Sequence, residues 1–435
     1  MRIGMEFRDN TVSNIDFSHV ELGNPGCGGT QFEFALLAHH LLKMDKGYEI
    51  VFFHFSKSNT FERGIKEIII GDTNDIPEAA TNAKVDVLLF WSTHDDEWYS
   101  KINEYKLKSI AWSHNFLSYD EIRRIENCKY VKKVVSVSKE QYELLAGETI
   151  FDRCTYIFNM FDFVEESFSR DEALNENIVC CVGTLIKAKG FHILAKEWKA
   201  IIKDIPSAKL YVMGNGKLWN KNAQMGKYDL AESRYEKSFM KYLTDKEGNI
   251  LPSVYFLGNV GVEKKDIFRK CKVGVVNPTG VETFCISAIE MEAEGVPVCS
   301  KMKNGLIDTI SNSKTGFLSR TSYGLRRNII RLLKDDELNI CLSNNAKSYA
   351  HNFSGTILVN EWDRVFYEVI NEIENATKPT LSFQIRRFKF LRHLVGRLRR
   401  YKPFRIIPTP YAITHSANLL KRIGAKLRNM LLRKY

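Results

Sequence analysis

The sequence predicts an α/β protein with two doubly wound parallel sheets facing a cleft and a basic helical C-terminal tail. Short apolar runs alternate with segments of helical periodicity in two successive series. A polar stretch from Glu165 to Asn177 divides the series, and the positive charge is confined to the end of the chain. The 435 residues, 44% hydrophobic and 26% charged, suffice for two sizeable cores.

In the first series the predicted strands are Arg2 to Phe7, Glu49 to Phe53, Val85 to Trp91, Ser109 to Trp112 and Lys133 to Val137. A helix starting near Thr30 carries an apolar face of Phe34, Leu37, Leu41 and Leu42. The second series runs through Ile178 to Val182, Lys209 to Met213, Val254 to Leu257 and Val273 to Val276, with a further strand opening at Gly295-Val296-Pro297-Val298. The expected divisions are a first α/β domain at 1–165, a second at 177–350, a helical segment at 351–375 and the tail at 376–435. The longest apolar runs are too short to cross a bilayer, and the polar N-terminus has no signal-peptide core, so a cytoplasmic chain is expected. Nine cysteines without a Cys-x-x-Cys pair argue against a disulfide framework or thiolate zinc site. His39 and His40 are adjacent rather than i, i+4, which disfavours a metal pair.

The stretch from Asn277 to Val298 is the most informative. It places Glu282 and Glu290 eight positions apart around a helix-forming segment that follows a strand. With Glu290 in the second helical turn and Glu282 just before it, their backbones would lie ~12 Å apart at about 1.5 Å rise per residue. That roughly matches the span from sugar to ribose in a nucleotide sugar, and a diphosphate would fit at the helix N-terminal amides between them. Spacing alone favours two solvated glutamates on a helix. In Gly23-Asn24-Pro25-Gly26-Cys27-Gly28-Gly29 the glycines let a backbone approach a ligand, while Gln31 breaks a dinucleotide fingerprint. His114 directly follows a strand and should sit at the cleft edge. Gly183 to Phe191 opens the second domain after a strand, where Lys187 or Lys189 near a diphosphate would offset charge on a leaving group.

Together these segments resemble glycosyltransferase family 4, retaining enzymes of the GT-B fold with two Rossmann-like domains. The family's E-x7-E signature runs Pro-Ser, Glu-x-Phe-Gly, Glu-Ala-Met-Ala and Gly-x-Pro-Val. Here Thr279 stands for the serine, Cys285 for the glycine and Met291-Glu292 for Ala-Met. Lys189 matches the family's phosphate lysine and Thr184 replaces its arginine; Lys187 is a partial substitute. Gly28-Gly29 matches the family's Gly-Gly pair, and His114 its sugar-contacting histidine. Further echoes are Ile157 to Asp162, Gly214-Asn215-Gly216, Phe256 to Val260 near the base pocket, and Thr315 to Leu318, so the likeness spans about 23–367.

The resemblance implies a hexosyltransferase moving a sugar from a nucleotide-sugar donor to a glycan or lipid-linked acceptor with retention, in cell-surface polysaccharide or lipopolysaccharide synthesis. It assigns the donor sugar to Glu282, the ribose to Glu290, the phosphates to Lys189 and the lining of the sugar site to His114. Further donor contacts fall to Gly28, Gly29, Gly183, Thr184, Gly258, Phe284, Cys285 and Ile286, with the Cys285 side chain narrowing the approach to the phosphates. No Asp-x-Asp triplet occurs, so no metal or cofactor is expected, and Asp95 to Glu97 reads as a solvated loop. A sugar-nucleotide epimerase and a non-catalytic GT-B partner subunit remain the alternatives.

Residues 376–435 hold 16 of the 63 Lys and Arg and no acidic residue, leaving 47 basic against 52 acidic residues upstream. Leu381, Ile385, Phe388, Leu391, Val395 and Leu398 recur at helical spacing among arginines, and Leu419 to Leu432 repeats the style. A basic amphipathic helix suits an anionic membrane surface, so 381–435 is expected to hold the protein peripherally on the inner face of the membrane. A helix docked on the acidic body fits the same pattern. Nucleic acid is not expected, since no recognition motif accompanies the charge.

Overall fold

The computed structural model describes residues 1–10, 12–163, 174–216, 224–261, 263–280, 282–373, 378–382 and 389–399, together with 401, 403, 404, 407–409 and 413. Two parallel sheets form the body. The first has seven strands in the spatial order Ile65–Ile69, Glu49–His54, Arg2–Glu6, Val87–Trp91, Ser109–Ser113, Val131–Ser136 and Cys154–Tyr156. The second has six: Val254–Gly258, Lys209–Met213, Ile178–Val182, Val273–Val276, Val298–Lys301 and Gly316–Ser319. Apolar runs form these strands because helices cover both faces, so period-two alternation is lost. Val87–Leu89 and Val273–Val276 are fully buried accordingly.

Chain order reverses once in each sheet, between Arg2–Glu6 and Val87–Trp91 and between Ile178–Val182 and Val273–Val276. At such a reversal the flanking crossovers leave in opposite directions and open a crevice at the carboxyl ends of the strands. His94 and Trp91 stand at the first crevice, and Gly183 and Asn277 at the second.

Predicted strands are present: Ile178–Val182, Lys209–Met213 and Val273–Val276 have the expected ends, and the others are shifted by one to three residues. Ile65–Ile69 was not predicted: it is an edge strand with Lys66, Glu67 and Ile69 exposed, so it lacks the apolar run of its neighbours. Asp95 to Glu97 is a helix start rather than a loop; the Asp95 carboxylate accepts from Trp98 N at 3.0 Å and caps the helix Asp96–Glu104. Eight of the nine cysteines are buried, and Cys341 is exposed. The adjacent histidines take separate carboxylates, His39 with Glu62 at 2.8 Å and His40 with Asp162 at 2.9 Å.

Two segments cross between the lobes side by side. Phe161 N donates to Phe353 O at 2.8 Å, and Phe161 pairs with Ser354 as a parallel bridge. Met160 N donates to Glu33 Oε2 at 2.8 Å, and burial raises the Glu33 carboxyl well above its usual range. After the second crossing the helix Gly355–Ile370 packs against the helix Gly29–Lys43 and the first sheet. Its fully buried Trp362 meets Trp112 with ring centroids 4.6 Å apart.

Candidate active site

Asn277 ends the strand Val273–Val276 with φ +36, a left-handed conformation that asparagine tolerates better than most residues. The turn sends the chain back over its own carboxyl end, and Asn277 Nδ2 donates to both Glu282 Oε2 and, at 3.6 Å, Cys285 Sγ. From the other side of the crevice Lys189 Nζ reaches the same Glu282 oxygen at 2.5 Å. Burial opposes the Lys189 charge, but the Glu282 carboxylate outweighs it and holds the ammonium above its ordinary pKa.

Lys189 is aimed by the residue after it. Gly190 caps the helix Phe191–Asp204 at φ +85, and a Cβ there would meet Thr279 N at 2.8 Å. Only glycine brings the two loops this close. Thr279 Oγ1 donates to Ala188 O, tying them directly.

Glu290 lies in the second turn of the helix Ile286–Ala293 and is buried, with Lys264 Nζ at 2.6 Å from its Oε1. Cys285 precedes this helix without giving it a side-chain cap. Its thiol is buried at the edge of the second lobe's core, and Asn277 Nδ2 donates to it at 3.6 Å. Burial pushes the thiol up, out of thiolate range.

The two lobes meet at this loop. Thr283 Oγ1 donates to His114 O at 2.7 Å, and a Cβ at Gly29 would lie 3.7 Å from Ile286 Cδ1. His114 packs on Trp112 at 4.5 Å between ring centroids, and its buried Nε2 has no hydrogen-bond partner. Desolvation lowers its pKa to about 3, so the ring is neutral at physiological pH. Glu140 N, at the start of the helix Lys139–Leu144, donates to Asp308 Oδ2 at 3.3 Å as a second interlobe bond. Burial raises the Asp308 carboxyl to about 7.

At the first sheet's crevice Arg8 is held by fully buried Glu6 at 2.6 Å, with Trp91 5.0 Å beneath the guanidinium. His94 Nε2 completes the cluster at 2.9 Å from the other Glu6 oxygen. Burial opposes the Glu6 charge, but His94 and Arg8 hold its pKa low.

The structure thus gathers Glu282, Lys189, Glu290, His114, Gly29, Gly183 and Ile286 around the space between the two crevices, with Gly28 capping the helix that starts at Gly29. The ring of Phe284 is buried against Phe158 and Phe353, at 5.8 and 5.5 Å, as a wedge between lobes. Gly258 accepts from Gly214 N at 2.6 Å and so braces the neighbouring loop. Lys187 is exposed, unlike Lys189. The sequence reading assigned no role to Lys264, Asn277, Thr283 or Arg8. The Asn277-Pro278 turn after a strand was a usable signal for one of them; the others are defined only by partners distant in sequence.

With this geometry in hand, comparison with known proteins is direct. Among solved structures, sucrose-phosphate synthase from Thermosynechococcus elongatus superposes with a TM-score of 0.64 at 16% identity, over 86% of this chain and 100% of that one. Anabaena HepE, solved in complex with UDP and glucose, gives 0.62 at 15% identity over 85% and 100%. The fold is GT-B. Residues 162–349 match the family model for glycosyl transferases group 1. The capsular polysaccharide biosynthesis glycosyltransferase CapM of Staphylococcus aureus is 27% identical over 48% of this chain and 51% of its own length. A Campylobacter jejuni N,N'-diacetylbacillosaminyl-diphospho-undecaprenol alpha-1,3-N-acetylgalactosaminyltransferase is 25% identical over 49% and 62%. The chain therefore spans about half to three fifths of these curated relatives.

Proposed function

We propose that the protein is a retaining, metal-independent glycosyltransferase that moves a sugar from a nucleotide diphosphate donor to a glycan or lipid-linked acceptor in cell-surface polysaccharide synthesis. One observation carries this reading: Glu282 and Glu290 flank the second crevice, each held by its own lysine at 2.5 and 2.6 Å. Such pairs are charge-assisted, short and exchangeable for ligand hydroxyls and phosphates. The likeness to structures holding UDP and glucose, and to CapM, supports the same donor and acceptor classes.

In the proposed reaction the acceptor oxygen bonds to the anomeric carbon on the face from which the diphosphate leaves. The bond from that carbon to the diphosphate oxygen breaks, and the acceptor proton passes to the departing diphosphate. Lys189 offsets the charge that accumulates on the leaving group, in a site with little water to screen it. Glu282, released from Lys189, accepts hydrogen bonds from sugar hydroxyls, and Glu290 those of the ribose diol. His114, being neutral, contributes an uncharged ring edge to the sugar pocket. The N-terminal end of the helix Ile286–Ala293, which Cys285 leaves without a side-chain cap, adds amide dipoles for the phosphates.

The test is a thermal-shift screen of nucleotide sugars followed by product analysis. A true donor raises the melting temperature by mass action, and NMR of the product must show the donor's anomeric configuration. No stabilisation by any nucleotide sugar, or an inverted product, overturns the reading.

A further inference from the structure

The C-terminal segment is strapped to one edge of the first lobe. Lys378 Nζ meets Asp152 at 2.5 Å, and Tyr142 OH donates to Pro379 O at 3.1 Å. Ser382 N and Oγ donate to Glu143 Oε1 at 2.6 and 2.9 Å. Arg399 Nε donates to Gly147 O at 2.7 Å, and Thr409 Oγ1 donates to Glu148. Among the described residues, these body partners fall between Tyr142 and Asp152.

The helix Lys389–Leu398 turns Val395 inward, 5% exposed. Phe390, Leu391 and Leu394 form an uncovered apolar stripe beside it, 81%, 40% and 42% exposed. Beyond the helix, Tyr401 and Phe404 are also exposed, at 66% and 44%. Phe390 is the most exposed large apolar side chain among the described residues. A monomer leaves such a stripe in water only when something else covers it.

The charge around the stripe indicates what does. The segment 376–435 carries 16 basic residues and no acidic one. A second copy brought face to face would set these cations against their own kind, which disfavours an isologous dimer through this surface. An anionic lipid surface accepts both features together, with rings and leucines at the acyl boundary and cations at the headgroups.

We propose that the strapped helix is a membrane-insertion element: Phe390, Leu391 and Leu394 enter an anionic bilayer and fix the first lobe, rather than the donor lobe, to its surface. This deepens the reading of a lipid-linked acceptor and rests on it. The first lobe's crevice, with Arg8 and Trp91, then stands at a constant height above the lipid, while the donor lobe is left free to load nucleotide sugar from water.

Flotation of the full chain with phosphatidylglycerol/phosphatidylcholine vesicles tests it, beside vesicles of phosphatidylcholine alone. The native protein should float only with the anionic vesicles, and Phe390→Ser/Leu394→Ser should weaken binding roughly tenfold or more. A Phe390→Trp variant should be quenched by brominated lipid. Three results overturn the proposal: no binding of the native protein to anionic vesicles, equal binding by the double variant, or a native dimer that the double variant makes monomeric. Donor-induced thermal shift, read on the same proteins, should be unchanged by these substitutions. Its absence throughout would sink the transferase reading while leaving the vesicle result standing.

Discussion

Glu282 shows how a single residue is prepared for exchange. Its carboxylate is shared between Lys189 and Asn277, so one partner can leave while the other keeps the side chain aimed. Removing the cation is therefore expected to hurt catalysis more than binding: Lys189→Met should lower kcat about 10²–10³-fold in a transfer assay. Lys264→Met should behave differently. It frees Glu290 at the opposite end of the donor, raising the donor KM about tenfold with kcat nearly unchanged, for a lost charge-assisted bond of roughly 1.5 kcal/mol. Glu282, Glu290 and Lys189 could be singled out in the sequence only through the family resemblance, since their spacing alone also describes solvated side chains. Lys264 could not be, since a lysine opening a short helix is ordinary until the fold lays Glu290 against it. His114 gives a pH signature. Its folded pKa of about 3 lies below the unfolded value near 6.5, so the unfolded chain binds the extra proton between those limits. Stability should fall as pH drops from 6.5 toward 3, and His114→Asn should flatten that slope in acid-denaturation curves.

At the scale of elements, the site depends on loops that only close contact can hold. Gly190→Ala would place a Cβ against Thr279 at a φ that L-residues avoid, and should destabilise the protein by about 1–3 kcal/mol in urea unfolding. The interlobe bond at the start of the helix Lys139–Leu144 has the opposite pH sign to His114. Asp308 is raised to about 7, so the folded state holds the proton between the unfolded value near 3.8 and 7, and stability falls as pH rises through that window. Asp308→Asn should remove this dependence in thermal melts between pH 4 and 7. Strands buried on both faces were readable as apolar runs, and Ile178–Val182, Lys209–Met213 and Val273–Val276 fell where the sequence placed them. Ile65–Ile69 and Gly316–Ser319 escaped, the first for its exposed edge and the second because Gly316 and Ser319 leave only Phe317 and Leu318 as an apolar run. The seat of the Phe284 ring between Phe158 and Phe353 was not legible, because a motif gives position along the chain whereas which way a ring points is decided by what packs above it.

Across the whole molecule, the helix Gly355–Ile370 holds the first lobe together after the chain has already left it once. Trp362→Ala should cost about 3–5 kcal/mol, because its fully buried ring fills the space over Trp112. Differential scanning calorimetry should show the first lobe melting earlier. Two sheets, the cleft between them and the basic tail were all legible, since each follows from periodicity or charge. What the sequence could not reveal was the strap's seat on residues 142–152, where the fold gathers the Glu143, Glu148 and Asp152 carboxylates, the Tyr142 hydroxyl and the Gly147 carbonyl. The paired crossings at Phe161 and Ser354 have a mechanical corollary. A protein joined by one thread can swivel freely, but two parallel threads laced by a hydrogen bond behave like a door hinge with a single pin. A swing of one lobe against the other would be confined to one arc, and closing along it would bring Thr283 back to His114.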